Sequence, residues 1–177
     1  PLIENSKLPL IEKWQDRATR DAEQIRRWWL DPVMGWDQGY NIGICTTRFG
    51  DNEALIAVDV DNKNGKCGDD SILEIELAGF DFPRTRTQST PTGGRHLVYR
   101  CPVAVRQGAD VLGSGLDIRS RGGFIVAAGS TVEAGTYVMD EAPLGLAPDW
   151  LVAACGKAKE EALLSADAVV DVLVDGM

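Results

Sequence analysis

The most regular hydrophobic pattern in the chain is a short apolar run, residues 55–61, that ends in two acids one residue apart. The run is rich in β-branched residues, which is typical of a buried strand. Because side chains alternate across a strand, Asp59 and Asp61 point to the same side, with Cα atoms about 6.5 to 7 Å apart. Val58 and Val60 point the other way, so the pattern predicts that they enter a core.

Other patterns predict the elements around this strand. Ile25, Trp28 and Trp29 form one apolar stripe and predict a helix over about residues 21–30, with the tryptophans packed in the core. A second helix is expected to start at a cap on Asp69 or Asp70 and to run to residue 77. Further short strands are expected at residues 40–45, 85–89, 96–100, 115–119 and 124–128, with a pairing segment at 137–139 and a helix or packing segment opening at 148.

The bulk composition bounds the organisation of the chain. A length of 177 residues fits one domain with a small appended module, and we expect a domain at residues 1–155 and a C-terminal helix or partly disordered linker at 156–177. The chain begins with Pro1 rather than Met, so we expect a trimmed N-terminus. The sequence contains no run of about 18 apolar residues, so no membrane span is predicted. The four cysteines form no CxxC pair, so we expect reduced thiols and a cytoplasmic location.

The charge is unevenly distributed. A net charge of −9 argues against a protein that coats nucleic acid non-specifically. Between residues 84 and 121, however, the only acids are Asp110 and Asp117, while the bases are Arg84, Arg86, Arg95, Arg100, Arg106, Arg119 and Arg121. This segment predicts a local basic surface on an acidic protein.

Three acids on two predicted strands suit a metal site. Asp59 and Asp61 repel each other and are costly to bury, and a divalent cation such as Mg²⁺ or Mn²⁺ relieves both costs. The alternative is a strand that simply passes into a turn, and for the pair alone the two interpretations are about equal. Asp117 and Arg119 share a face of their strand and, taken alone, favour a simple ion pair. Beside the first pair, Asp117 is the third carboxylate that a two-metal phosphoryl-transfer site needs.

A glycine-containing loop precedes the only histidine of the chain. The glycines allow backbone N–H groups to face an anion, as phosphate-binding loops do, and hydroxyls and a guanidinium add donors. A lone histidine is more often structural, but its position directly after the loop, at the start of a strand, favours a functional role. The residues concerned are Ser89, Thr92, Gly93, Gly94, Arg95 and His96.

Together these three segments resemble the signature motifs of the archaeo-eukaryotic primase superfamily, most closely its primase–polymerase (Prim-Pol) branch, found in plasmids, phages and integrated elements. The acid-x-acid motif is Asp59 to Asp61, the small-x-His motif is Gly94 to His96, and the third motif ends at Asp117. The flanking pattern also fits over most of the first 151 residues, at 7–14, 24–29, 41–44, 122–126 and 148–151.

The resemblance implies both a fold and an activity. The fold is of the α/β (α+β) class, with two modules and a mostly antiparallel, RNA-recognition-like catalytic sheet flanked by helices. The activity is template-directed nucleotidyl transfer by a DNA primase or polymerase that replicates a phage, plasmid or integrated element. The implied partners are NTPs or dNTPs, single-stranded or primed DNA, and a fused or associated helicase or helical domain, with no membrane. Ala127 and Ala128 depart from the family, which usually has two prolines there.

The resemblance also implies residue roles. Asp59, Asp61 and Asp117 would bind two Mg²⁺ or Mn²⁺ ions. Nucleotide binding would involve His96, as a hydrogen-bond partner of the triphosphate rather than a general base, with Arg95, Gly94, Gly93, Thr92, Ser89 and Arg119. Weaker candidates for nucleic-acid contact are Arg121, Arg84 and Arg86. The alternatives are a non-catalytic nucleotide- or DNA-binding module of a replication initiator and a metal-dependent phosphoesterase.

Overall fold

The computed structural model describes residues 1–30, 39–47 and 53–156. Its helices are α1 (Trp14–Arg17), α2 (Ala22–Leu30), α3 (Gly68–Leu77) and α4 (Asp149–Cys155). Its strands are β1 (Gly43–Cys45), β2 (Ala54–Val60), β3 (Arg86–Ser89), β4 (Arg95–Cys101), β5 (Leu116–Arg119), β6 (Phe124–Val126), β7 (Thr131–Val132), β8 (Gly135–Thr136), β9 (Val138–Met139) and β10 (Gly145–Leu146). The predicted C-terminal helix or linker lies outside the described residues after residue 156. No helix in the described ranges is long and apolar enough to cross a membrane.

The central sheet has the strand order β5-β2-β4-β3-β9, and all its neighbours along this path are antiparallel. The short strand β10 adds to β4 in parallel, beyond the end of β3. Strand β4 lies between β2 and β3, which α3 connects, so the unit is a split β-α-β arrangement. The predicted α+β class with a mostly antiparallel, RNA-recognition-like sheet is therefore confirmed.

Strand β2 lies between β5 and β4 in this sheet and is buried on both faces. Ile56, Val58 and Val60 are fully buried on the face that carries α3 and α4. On the opposite face, Leu55 and Ala57 pack with partners on neighbouring strands. The predicted core position of Val58 and Val60 is confirmed. The second face changes from apolar to polar at residue 59, and this change creates the site described below.

A second, smaller sheet carries the N-terminal segment. Strands β1 and β6 pair antiparallel, and the chain start joins them through a bond from the Leu2 N–H to the Asn41 carbonyl of 2.7 Å. The Asn41 side chain donates to the carbonyls of Ser6 and Thr131 at 2.9 and 2.7 Å. This buried asparagine ties three segments together and fixes the N-terminal module. Trp29 of α2 is buried, as predicted, whereas Trp28 is only half-buried and Ile25 is exposed, so the predicted apolar stripe is buried only in part.

Helix α3 begins at a different residue from the one predicted. It starts at Gly68, with Cys67 as an N-cap that makes no side-chain hydrogen bond, while Asp69 and Asp70 lie in its first turn. A Cβ at Gly68 would lie 2.6 Å from the Gly115 carbonyl oxygen. The cap predicted at Asp69 or Asp70 is therefore wrong, because this close backbone contact sets where the helix begins. Both acids still favour the helix electrostatically, because its N-terminus carries partial positive charge.

Candidate active site

Four polar side chains form a row across one face of the central sheet. The strand registers place Asp117 opposite Asp59, Asp59 opposite His96, and His96 opposite Gln88. Residues directly opposite on antiparallel strands point to the same face with Cβ atoms about 4.5 to 5.5 Å apart. Asp61 follows Asp59 by two residues and joins the same face. The sheet thus brings the first and third acidic motifs and the histidine together.

The three carboxylates form a compact oxygen cluster. One oxygen each from Asp59, Asp61 and Asp117 lie within 4.8 Å of one another. Their side chains are 16%, 23% and 11% exposed, so water screens their repulsion only in part. An oxygen-only donor set of this kind suits a hard divalent cation such as Mg²⁺ or Mn²⁺. The residues present therefore fit the metal that the sequence predicts.

Positive side chains offset these charges. Arg119 Nη2 lies 2.9 Å from Asp117 Oδ2 and 3.6 Å from Asp59 Oδ2. Lys63 Nζ lies 2.9 Å from Asp61 Oδ1, and this bond raises the pKa of Lys63. The ion pair of Asp117 and Arg119, the simpler interpretation of the sequence, is thus present. Arg119 also reaches Asp59, and this contact connects the ion pair to the carboxylate cluster.

The ionisation of Asp59 is set by competing effects. Burial alone would raise the pKa of its carboxyl group. The hydrogen bond with His96 Nε2, at 3.3 Å, and the charges of Arg119 and Lys63 outweigh burial and hold the pKa of Asp59 below its ordinary value. Asp59 is therefore ionised at neutral pH, which is the form that binds a metal.

The imidazole of His96 is enclosed on several sides. Its exposed fraction is 6%, and its Nδ1 lies 2.9 Å from Gln88 Nε2. Gln88 Nε2 also donates to the Val126 carbonyl at 2.7 Å. The Tyr137 ring lies beside His96, with centroids 6.2 Å apart. The histidine is thus held between a motif carboxylate and a buried amide.

The backbone N–H groups of the loop that precedes β4 form hydrogen bonds within the loop. The Gly93 N–H donates to the Thr90 carbonyl at 3.2 Å, and the Gly94 N–H donates to Thr90 Oγ1 at 3.1 Å. A Cβ at Gly94 would lie 2.4 Å from the Val60 carbonyl oxygen, so close packing against β2 requires glycine there. In this geometry neither N–H is free to face a phosphate, and nucleotide contact by Gly93 and Gly94 stays a prediction.

Two predicted nucleotide ligands lie on the other face of the sheet. Ser89 pairs with Arg95, and Arg95 pairs with Val60. Val60 points into the core, away from the face that carries Asp59. The Arg95 guanidinium forms an ion pair with Asp69 in the first turn of α3. The structure therefore does not bring Ser89 or Arg95 together with the carboxylates.

The three weaker arginine candidates are scattered. Arg86 Nε donates to the Ala142 carbonyl at 2.9 Å, which occupies part of its guanidinium. Arg84 is exposed before β3, and Arg121 is half-buried in the turn after β5. Arg86 lies in β3 two residues before Gln88, so its register opposite Val98 places it on the same face as the row.

An open groove of about 570 Å³ lies next to Tyr137, the aromatic neighbour of His96. Tyr137 lines the groove and also contacts the histidine ring, and Lys7 Nζ lies 5.9 Å from the centroid of the Tyr137 ring. Thr92 and Pro91 also line the groove. Of the nucleotide ligands predicted from the glycine loop, only Thr92 lines this groove.

Comparison with protein families identifies the chain. The family model described as bifunctional DNA primase/polymerase, N-terminal (Prim-Pol), matches residues 1–150. The chain belongs to the Prim-Pol family. The resemblance predicted from the three motifs is confirmed, and membership supports primase/polymerase-type nucleotidyl transfer on nucleotide and DNA substrates. No curated protein sequence matches this Prim-Pol domain.

Sequence reasoning missed several residues that lie in or beside the candidate site. Gln88 lies in a short strand with no motif, and only the register with His96 reveals it. Lys63 lies two residues after Asp61, and this short spacing could have indicated from the sequence that the two side chains form an ion pair. Lys7 and Tyr137 come from distant segments, and no local pattern relates them to His96.

Proposed function

We propose that this Prim-Pol domain catalyses template-directed nucleotidyl transfer. The 3′-hydroxyl of a primer, or of the first nucleotide, attacks the α-phosphorus of an NTP or dNTP. A new phosphodiester bond forms, the bond to the β-phosphate breaks, and pyrophosphate leaves. The observation that carries this proposal is the row of Asp117, Asp59 and His96, with Asp61 beside it, on one face of the sheet.

Asp59, Asp61 and Asp117 would hold two Mg²⁺ or Mn²⁺ ions. Such ions, when bound, activate the attacking hydroxyl and neutralise the charge that develops on the phosphates. The chain itself supplies oxygen ligands that are already ionised and partly shielded from water. The held-down pKa of Asp59 supports this assignment, because the acid gives up no proton at neutral pH when a cation binds.

The remaining residues would bind and orient the nucleotide. His96 would donate a hydrogen bond to the triphosphate, beside the groove that Tyr137 and Lys7 line. Arg119 bonds to the carboxylates, and its guanidinium would turn to phosphate oxygens when cations take its place. Contacts from Thr92, Gly93 and Gly94 would come from the loop edge, whereas Arg95 and Ser89 receive less support from their position.

The proposed setting is the replication of a phage, plasmid or integrated element on a single-stranded or primed DNA template. A helicase or helical domain, fused or associated, would complete the replication machinery. All four cysteines are free thiols, which supports a reducing compartment such as the cytoplasm. The catalytic domain would comprise residues 1–155, because α4 ends at Cys155 and the family match ends at residue 150.

Primer extension tests the proposal. The wild type and Asp59→Ala are incubated with a primed template, Mg²⁺ or Mn²⁺, and NTPs or dNTPs supplied separately. Asp16→Ala, which changes an exposed acid in α1, is the matched control. We expect extension that needs metal and template, is kept in Asp16→Ala and is lost in Asp59→Ala.

Other outcomes would favour the alternatives. Metal-dependent nucleotide binding without any extension product would indicate a binding module of a replication initiator. Release of phosphate or nucleoside monophosphate without a template would indicate a phosphoesterase. Full extension by Asp59→Ala would contradict the assignment of the metal ligands.

A further inference from the structure

Gln88 is the most buried polar residue of the row, with 1% of its surface exposed. Its amide nitrogen lies 2.9 Å from His96 Nδ1 and 2.7 Å from the Val126 carbonyl oxygen. Val126 belongs to β6 and therefore to the second sheet, whereas His96 belongs to the central sheet. Gln88 thus connects the two sheets at the site histidine.

The Val126 carbonyl fixes the orientation of this amide. A carbonyl oxygen only accepts hydrogen bonds, so the Gln88 atom that faces it must be the NH₂ group. The second N–H of the same group then points at His96 Nδ1, which must accept. A neutral imidazole that accepts at Nδ1 carries its proton on Nε2. The Nε2–H is the group that faces Asp59 Oδ1 at 3.3 Å.

We propose that Gln88 is a positioning residue that presents His96 to the nucleotide as a hydrogen-bond donor through Nε2. This inference rests on the proposed function, because the partner of Nε2–H during the reaction is the triphosphate. A ring with its proton on Nε2 can donate to a phosphate oxygen and cannot remove a proton with the same atom. Gln88 therefore sets which of the two roles His96 performs.

Simple packing does not account for this arrangement. An apolar side chain of similar length would fill the same volume but would leave the Val126 carbonyl and His96 Nδ1 without these bonds. Two buried acceptors without donors would each destabilise the folded protein. The amide satisfies both acceptors with one nitrogen, so its chemistry and not only its volume fits the position.

Ring-nitrogen NMR tests the proposal directly, because His96 is the only histidine in the chain. Protein labelled with ¹⁵N-histidine gives one pair of ring signals, recorded in weakly alkaline buffer. The variants are Gln88→Met, which keeps the length without a donor, and Gln88→Glu, which offers only an acceptor to Nδ1. Ser130→Ala is the matched control, because it removes the hydroxyl that accepts the Ile42 N–H and keeps the Ser130 backbone carbonyl, which accepts the Tyr137 N–H. Thermal melts of all proteins accompany the spectra.

We expect the wild type and Ser130→Ala to carry the proton on Nε2 with a hydrogen-bonded, unprotonated Nδ1. Gln88→Met shifts the Nδ1 signal to that of an unbonded acceptor, and Gln88→Glu places a proton on Nδ1. In primer extension, Gln88→Met raises the KM for the nucleotide about tenfold, with kcat changed less than KM. If Gln88→Met melts below the assay temperature, Gln88→Glu carries the test.

A proton on Nδ1 in the wild type would overturn the proposal. So would a Gln88→Met protein whose Nδ1 signal and KM equal those of Ser130→Ala. A wild type that extends no primer while its ring signals behave as expected would contradict the proposed function and leave the placement of His96 by Gln88 supported. The spectra and the kinetics thus separate the two hypotheses.

Discussion

Asp59 and Asp117 lie directly opposite each other on neighbouring antiparallel strands, and Arg119 bridges their Oδ2 atoms at 3.6 and 2.9 Å. Like charges directly opposite in a sheet are destabilising. In this protein the positive charge of the Arg119 guanidinium, which lies beside both carboxylates, offsets that cost. A divalent cation bound to the same oxygens would serve the same purpose, so Arg119 and such a cation would compete for these carboxylates.

Removal of Arg119 should therefore increase the effect of metal on stability. Without metal, Arg119→Gln leaves two facing carboxylates uncompensated and should lower the free energy of unfolding by about 1 kcal/mol. Added Mg²⁺ or Mn²⁺ stabilises the protein by binding the folded state, and more so in the variant. Thermal melts with a metal chelator and with each metal measure both effects.

Arg100→Gln is the matched control for this experiment, because Arg100 makes a longer ion pair of 3.8 Å with Glu53 away from the carboxylates. It should leave the metal-induced shift of the melting temperature at the wild-type value. Equal metal-induced shifts in Arg119→Gln and the wild type would show that the cation does not share the oxygens that Arg119 contacts.

Asp117→Asn separates catalysis from folding. The amide oxygen can still accept the N–H of Asp110, which Asp117 Oδ1 accepts at 3.0 Å, so the loop before β5 keeps its contact. The loss of one of two facing negative charges should leave the melting temperature without metal close to that of the wild type. The loss of a metal ligand should lower kcat for primer extension by more than about 10²-fold. Activity within a few fold of the wild type would exclude Asp117 as a ligand.

Asp59 should make stability depend on pH on the acid side. The pKa of its carboxyl is below the ordinary value of 3.8 in the folded protein, so the unfolded chain takes up its proton first as the pH falls. The stability that Asp59 contributes is present above the ordinary value and is lost as the pH falls through the lowered one. Urea unfolding from about pH 7 to about pH 2 measures this loss. Asp59→Asn should show a shallower acid slope, and an unchanged slope would contradict the ionised, bonded state of Asp59.

The sequence was sufficient to predict the centre of the fold. Alternation along β2 gave the correct faces for Val58 and for Asp59, because a strand offers only two sides. The boundary of α3 was not predictable in the same way, because it depends on the contact between Gly68 and Gly115, 47 positions apart in the chain. A local capping rule has no information about such a contact.

The site was predictable only where motifs lie on the strands. The motifs predict Asp59, His96 and Asp117 as one group, and the structure brings these side chains together because their strands are neighbours. Gln88 joined the group only once the register was known. Arg95 is one residue from His96 and points to the other face, because successive side chains of a strand alternate between the two faces. The one-residue offset that separates the two faces also separates site residues from residues that hold α3.

The glycines of the loop before β4 yield a prediction that separates packing from backbone conformation. A Cβ at Gly94 would lie 2.4 Å from the Val60 carbonyl oxygen and 3.2 Å from Thr90 Oγ1, so Gly94→Ala must move the loop away from β2. Gly93 has φ of +83° and open space around its Cα, so Gly93→Ala costs only backbone strain. We expect losses in the free energy of unfolding of about 1 to 3 kcal/mol for Gly94→Ala and about 1 kcal/mol for Gly93→Ala.

Gly93→Asn is the control for backbone strain, because asparagine tolerates positive φ better than alanine, and it should be more stable than Gly93→Ala. Urea unfolding of the three variants measures the order. Because Gly94 directly precedes Arg95 and His96, displacement of the loop should also raise the nucleotide KM in Gly94→Ala more than in Gly93→Ala. If Gly93→Ala raised KM more than Gly94→Ala, a backbone contact of Gly93 with the nucleotide would explain the loop better than packing against β2.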